Sequence, residues 1–334
     1  MDLPAVTILS LGGTIAMTQG ETGGVVPTLT AEALVGAVPQ LQQVARVKAQ
    51  SYRQLPSAHL RFEDIEALAA SLRHLAGAGE RGFVITQGTD TIDETAFALD
   101  CLYDLDVPLV VTGAMRHPTL PGADGPANLL AAVQVAASPA ARGLGCLVVM
   151  NDEVHAARYV RKLNTSRPDA FASPACGRLG WLTEGRLRLA SRLPDVPRVV
   201  SSPQPRPAQV ALLPACLDDP GDMVRALLAA HAFDGLVIQA AGGGHVTAGL
   251  ADALETAARS MPVVLASRTG SGDVLSSTYG YTGSEIDLLR RGLIRAGLLD
   301  GHKARVLLTL LLRHQGADPG AIAQAFQAWS NDHP

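Results

Sequence analysis

A short apolar run, a glycine-bearing turn and a stretch with apolar residues at helical spacing recur along this chain from its first residues. The runs "AVTILSL" (5–11), "GFVIT" (82–86), "PLVVTG" (108–113) and "GCLVVMN" (145–151) are too short for helices and are bounded by turn residues, so they read as buried strands. Between them, "FEDIEALAASLRHL" (Phe62 to Leu75) and "ETAFALDCLYDL" (Glu94 to Leu105) carry the helical period. Strands alternating with helices predict a parallel sheet with crossover helices. The pattern stops at "LPDVPRVVSSPQPRP" (193–207), where five prolines exclude a helix or a central strand. It restarts with "QVALLPA", "GLVIQAAGGG" and "PVVLAS" and closes on a long helix, "GHKARVLLTLLLRH". The expected architecture is α/β: a larger N-terminal parallel-sheet domain with crossover helices over 1–190, a proline-rich linker over 191–208, and a smaller C-terminal α/β domain over 209–334.

Length and composition agree with two globular domains. A chain of 334 residues exceeds the commonest single-domain size, and 47% hydrophobic content with 33 glycines and 21 prolines suits β-α units joined by many turns. The net charge of -4 is mild and no dense Lys/Arg run occurs, which argues against a nucleic-acid partner. No apolar run reaches membrane-spanning length. The N-terminal "MDLPAVTILSLGGTIA" reads as a first strand, so a cytoplasmic location is the default, with export by way of a removed signal peptide left open. Cys101, Cys146, Cys176 and Cys216 lie far apart and are expected to be reduced core thiols. The histidines, among them His59, His74, His155 and His231, show no metal-ligand spacing, and no metal or cofactor is expected.

In open α/β sheets ligands gather beyond the carboxyl ends of the strands. Four polar clusters fall there: "GGTIA", "TQGTDT", "TGAMR" and "NDEV". Gly12-Gly13-Thr14 reads either as a tight strand-to-helix turn or as a phosphate loop, but it lacks the Gly-x-Gly-x-x-Gly spacing and a Gly-Lys-Ser/Thr ending. The same holds for Gly242-Gly243-Gly244. In "ITQGTDTIDET" (85–95), helix capping accounts for Thr91, Asp93 and Glu94. It does not require Thr89 and Asp90. A hydroxyl beside a carboxylate at a strand tip suits a nucleophile or a water activator, provided a neighbour accepts its proton. Lys162 is one candidate for that neighbour; taken alone, it reads as a solvated surface lysine.

Taken together, six segments resemble the bacterial-type asparaginase/glutaminase family: "LGGTIA" (11–16), "AVPQL" (37–41), "GFVITQGTDTIDETA" (82–96), "PLVVTGAMR" (108–116), "VVMNDEVHAARYVRKLNTS" (148–166) and "GHKARVLL" (301–308). They span nearly the whole chain in order. The resemblance implies hydrolysis of the side-chain amide of L-asparagine to aspartate and ammonia without a cofactor, through an acyl-enzyme. It makes Thr14 the nucleophile and Thr89 the second catalytic threonine, grouped with Lys162 and Asp90. It further implies that Asp90 holds the substrate's α-amino group, that Ser57 binds the α-carboxylate, and that backbone groups near Thr89 and Ala114 contact the reacting amide. Family sites are completed across a dimer, and commonly within a tetramer, which points to Glu285 and His245 as substrate-side residues contributed by a neighbouring subunit.

Several positions depart from the family pattern. The loop "MTQGETGGVVPTLTAEAL" lacks the family's tyrosine, so Tyr279 or Tyr281, close to Glu285 in sequence, is the expected substitute. Leu11 and Gln87 replace a threonine and a histidine, and Ala58 follows Ser57 where many members carry glutamine. The last change leaves a broad-specificity glutaminase-asparaginase as the rival activity. A non-catalytic amino-acid-binding regulatory protein is the rival outside enzymes, although such a protein would not need two threonines with a lysine. An ammonia-supplying subunit of a transfer-RNA amidotransferase would be expected to carry a further N-terminal domain.

Overall fold

The computed structural model describes residues 3–13, 15, 17–19, 25–27 and 30–330. They divide into two units, Met1–Leu193 and Pro194–Pro334.

In the first unit the strands are β1 (Ala5–Ser10), β2 (Met17–Gln19), β3 (Val25–Pro27), β4 (Arg46–Ser51), β5 (Gly82–Thr86), β6 (Leu109–Thr112), β7 (Cys146–Met150), β8 (Glu153–Ala156), β9 (Arg161–Lys162), β10 (Phe171–Ala172), β11 (Gly180–Thr183) and β12 (Arg186–Leu189). The helices are α1 (Ala31–Gly36), α2 (Leu41–Val44), α3 (Phe62–Gly77), α4 (Ile92–Leu102) and α5 (Gly125–Ala136). Eight strands form one sheet in the order β12-β11-β8-β7-β6-β5-β1-β4. β4, β1, β5, β6 and β7 are mutually parallel, as the alternation predicted for β1, β5, β6 and β7; β4, "RVKAQS", is a partly exposed strand that the apolar runs did not show. Every residue of β5, β6 and β7 is buried, which is why these strands read as unbroken apolar runs.

Beyond β7 the sheet turns antiparallel, which the alternation did not predict. Val149 pairs with Val154 and Met150 with Glu153, leaving Asn151 and Asp152 as a two-residue turn with φ of 52° and 60°. Asn and Asp tolerate that left-handed backbone, and a two-residue turn with both φ positive matches the twist of a hairpin. The expected polar cluster "NDEV" is therefore a hairpin corner and the start of β8. β11 and β12 extend the same antiparallel edge.

Residues 191–209 contain neither helix nor strand. The second unit has a parallel sheet of β13 (Val210–Pro214), β14 (Gly235–Ala240), β15 (Val263–Ser267) and β16 (Ile294–Arg295), in that order. Its helices are α6 (Asp222–Ala230), α7 (Ala248–Ala258), α8 (Glu285–Arg290), α9 (Gly301–His314) and α10 (Pro319–Trp329). Leu236, Ile238, Leu250, Leu254, Leu265 and Leu288 form the centre of one core, while α9 packs on β13 and β14. α9 was expected to be the last element. α10 follows it, started by Asp318, whose side chain accepts from the Ala321 N–H, and anchored by buried Ile322, Phe326 and Trp329. Burial of each such side chain stabilises the unit by roughly 1.5–3 kcal/mol.

Candidate active site

The order β4-β1-β5-β6-β7 contains a reversal. From β1 the chain moves to β4 on one side, then returns across β1 to place β5 on the other. The connections leaving β1 and β5 therefore diverge and open a crevice at the carboxyl ends of these two strands. The β1 end supplies Leu11, Gly12 and Gly13; Thr14 lies outside the described residues. The β5 end supplies Gln87, Gly88, Thr89 and Asp90.

Glycines let these ends touch. Gly13 has φ +89°, and a Cβ there would lie 1.9 Å from the Gly88 nitrogen. No residue with a side chain fits. A Cβ on Gly88 would lie 2.9 Å from Ser57 Oγ, and one on Gly113, at the end of β6, 3.2 Å from Thr89 Cγ2. The glycine pair after β1, the Ser57 turn and the end of β6 thus all press on Gly88 and Thr89. Ser57 and Ala114, predicted as substrate-side positions, belong to these same segments.

Lys162 sits on β9, paired through Phe171 with β10, and its backbone N–H donates to Asp93 Oδ2 at 3.3 Å. Its Nζ donates to Thr89 Oγ1 at 2.9 Å and to Asp90 Oδ1 at 2.7 Å. Thr89 is buried, the Lys162 side chain is 15% exposed and that of Asp90 72%. The reading of Lys162 as a solvated surface residue is thereby overturned. The capping assignment of Thr91 also changes: it occupies the N-cap of α4 without a side-chain cap bond, and its hydroxyl donates to the Ser57 carbonyl at 3.0 Å. Asp93, in the first turn, accepts from both the Glu94 and the Lys162 backbone N–H groups.

Of the departing positions, Leu11 is a buried apolar residue whose N–H donates to the Thr86 carbonyl. Gln87 is buried; its Nε2 donates to the Gly88 carbonyl at 3.2 Å, and its Oε1 has no partner among the described residues. Sequence reasoning missed Asp124 and Asn128, whose side chains bond the backbone around Ala114. The available signal was "ADGPAN", an aspartate before Gly-Pro at a helix start, which reads as an ordinary N-cap. Asp124 does stand at that position, yet its side chain makes no cap bond.

In the second unit, considered by itself, the four remaining candidates meet. Glu285 is fully buried; its Oε1 accepts from the backbone N–H groups of Thr278 at 2.8 Å and Tyr279 at 2.6 Å. Its Oε2 lies 3.1 Å from His245 Nε2. Burial pushes this carboxyl up, but the Tyr279 and Thr278 N–H groups outweigh it and hold the group below its ordinary range. The His245 ring packs edge-on against Tyr279 and Tyr281, with centroids 4.9 and 5.6 Å away. Both tyrosines are exposed.

Among the described residues no group of three or more His, Cys, Asp or Glu is placed to hold a metal ion. Cys101 and Cys146 are buried core thiols, whereas Cys176 and Cys216 are exposed, contrary to expectation. No described helix is long and apolar enough to cross a membrane.

The family model described as "Asparaginase, N-terminal" matches residues 5–195. The chain belongs to the asparaginase family. A second family model, "Glutaminase/Asparaginase C-terminal domain", matches residues 209–326. Among its asparaginase relatives, "Probable L-asparaginase periplasmic" of Haemophilus influenzae is 36% identical over 98% of this chain and 93% of its own. "Probable L-asparaginase" of Deinococcus radiodurans is 37% identical over 97% of each. The crystal structure titled "Probable Cytoplasmic L-asparaginase from Campylobacter jejuni" shares the asparaginase fold with a TM-score of 0.85 and 31% identity, covering 97% of this chain and 99% of that one.

Proposed function

We propose that this protein hydrolyses the side-chain amide of L-asparagine to L-aspartate and ammonia. The observation that carries this reading is the contact of Lys162 with both Thr89 and Asp90 at the switch-point crevice, in a chain of the asparaginase family. Thr14 is the nucleophile: its Oγ forms a bond to the amide carbon, the C–N bond breaks, and ammonia leaves carrying the nucleophile's proton. Water then adds to the resulting ester, the acyl C–O bond to Thr14 breaks, and aspartate departs as a proton from that water restores the Thr14 hydroxyl. Thr89, Lys162 and Asp90 handle protons. Lys162 Nζ lies 2.9 Å from Thr89 Oγ1, within reach to exchange a proton with that hydroxyl or with water relayed through it. Asp90 receives the α-amino group, which its exposure supports, and Ser57 the α-carboxylate. Backbone N–H groups near Thr89 stabilise the oxyanion, and loss of one such donor typically costs ~3 kcal/mol in the transition state.

Glu285 and His245 act from a neighbouring subunit, so a dimer is the active unit, and Tyr279 or Tyr281 supplies the phenol that the first loop lacks. Residues 191–208 serve as the linker between domains, and the protein works in the cytoplasm. Broad asparagine and glutamine use is the second reading, favoured by Ala58 beside Ser57.

Rapid mixing with L-asparagine followed by intact-mass analysis tests the covalent step. Thr89→Val should accumulate an aspartyl adduct and Thr14→Ala should form none. An adduct on Thr14→Ala would remove Thr14 from its role.

A further inference from the structure

The loop carrying Ala114 is held by two side chains to which the hydrolytic reading gives no role. β6 ends at Thr112, whose Oγ1 donates to the Val149 carbonyl at 2.7 Å. In the residues that follow, Asn128 Nδ2 donates to the Gly113 carbonyl at 3.1 Å. Asp124 accepts from two consecutive N–H groups, Met115 to Oδ2 at 3.0 Å and Arg116 to Oδ1 at 2.9 Å. The two clamping residues are joined, Asn128 Nδ2 to Asp124 Oδ2 at 3.1 Å, and Asn128 Oδ1 accepts from the Asn151 N–H at 2.9 Å in the β7–β8 corner. Asn128 is buried.

These bonds fix both peptide planes that flank Ala114. In a trans peptide the C=O and N–H point to opposite sides. The Ala114–Met115 peptide turns its N–H to Asp124, so the Ala114 carbonyl is directed away from Asp124. The Gly113–Ala114 peptide is held by its own C=O on Asn128. The Ala114 methyl faces α5, where a Cβ on Gly125 would lie 3.4 Å from it, and Gly113 abuts Thr89. The Ala114 carbonyl is thereby a fixed acceptor on the loop that packs against Thr89.

We propose that Asp124 and Asn128 are positioning residues that hold the Ala114 carbonyl as the acceptor for the substrate's amide N–H, and so select an amide over an ester, which lacks that donor. The proposal rests on the hydrolytic reading above. An amide nitrogen offers a donor to this carbonyl; an ester oxygen brings only lone pairs, and a buried acceptor then goes unpaired. Sites built to hydrogen-bond a donor reject analogues that lack it far more strongly than apolar pockets reject a missing methylene. Freeing the loop removes that preference while leaving Thr89 and Lys162 in place.

The experiment compares wild type, Asp124→Asn and Asn128→Ala, measuring kcat and KM on L-asparagine and on L-aspartic acid β-methyl ester, with melting curves in parallel. In each folded variant kcat/KM for asparagine should fall on the order of 100-fold, the usual cost of a misplaced reacting group, while the ester is hardly affected. Equal losses on both substrates, or unchanged asparagine turnover, would overturn the proposal. So would failure of both variants to fold, which would assign the pair to stability. A wild-type protein that turns over neither substrate would instead overturn the hydrolytic reading on which the proposal stands.

Discussion

The Nζ of Lys162 donates to Oγ1 of Thr89 at 2.9 Å, joining two residues 73 positions apart in the chain. Lys162→Met keeps the length of the stem and removes the ammonium. Turnover should fall ~10²–10⁴-fold, the usual contribution of a positioned proton-transfer group. Stability should change by only ~0–1 kcal/mol, because the Asp90 partner is largely exposed. Steady-state kinetics with a parallel melting curve check this; a variant with near-wild-type turnover removes Lys162 from the mechanism.

Thr89→Val exchanges the hydroxyl for a methyl of similar volume. Turnover should be abolished, and the fold should survive as judged by circular dichroism. Retained activity would show that the Lys162 contact orients nothing that reacts.

Gly13→Ala places a Cβ 1.9 Å from the Gly88 nitrogen at a backbone φ of +89°. Backbone must move to relieve that overlap, and the β1 and β5 ends then separate. Turnover should drop on the order of 100-fold or more, as for other displacements of about an ångström at a reacting centre. Normal kinetics in the purified variant would mean that the two ends need not touch.

The alternation of apolar runs and helical periods made four of the five parallel strands legible, because a strand buried on both faces is mainly apolar; β4, with Arg46, Lys48 and Gln50 on its exposed side, was not legible. The antiparallel edge of β8, β11 and β12, and the separate two-stranded pair β9 and β10, were not legible in the same way. β9 and β10 have two residues each, and β12 alternates Arg186, Leu187, Arg188 and Leu189, so none forms an apolar run. At the site, Thr89 and Asp90 stood out because capping did not use them. Lys162 did not, since its burial comes from a contact 73 residues away. Asp124 was hidden for the opposite reason: the N-cap explanation fitted its position while its carboxylate serves the Ala114 loop.

His155 is buried with Nδ1 3.0 Å from Ser173 Oγ, and burial is the main cause that lowers its pKa from the ordinary 6.5, against the opposing pull of Glu153. The unfolded imidazole takes up a proton more readily than the folded one, so stability is full above about pH 6.5 and falls as the pH drops below it. His155→Gln keeps a polar partner for Ser173 and should flatten this part of the curve. Urea midpoints between pH 8 and pH 5, roughly spanning the ordinary histidine range, provide the comparison. Identical slopes in both proteins would place the titration elsewhere.

Tyr279 and Tyr281 flank His245 on an exposed face of the second unit. If one supplies the missing phenol, Tyr→Phe at that position should lower kcat by roughly 10²-fold, the low end for a proton-transfer group, with the other change nearly silent. Two silent changes would remove both tyrosines from the reaction.

The most direct test is ammonia release by the purified wild-type protein, with L-asparagine and L-glutamine supplied in parallel at matched concentrations. Rapid release from asparagine, well above that from glutamine, is the predicted result. Comparable release from both would make it a broad-specificity enzyme. No release from either by the folded protein would contradict amide hydrolysis at the Thr89–Lys162 site.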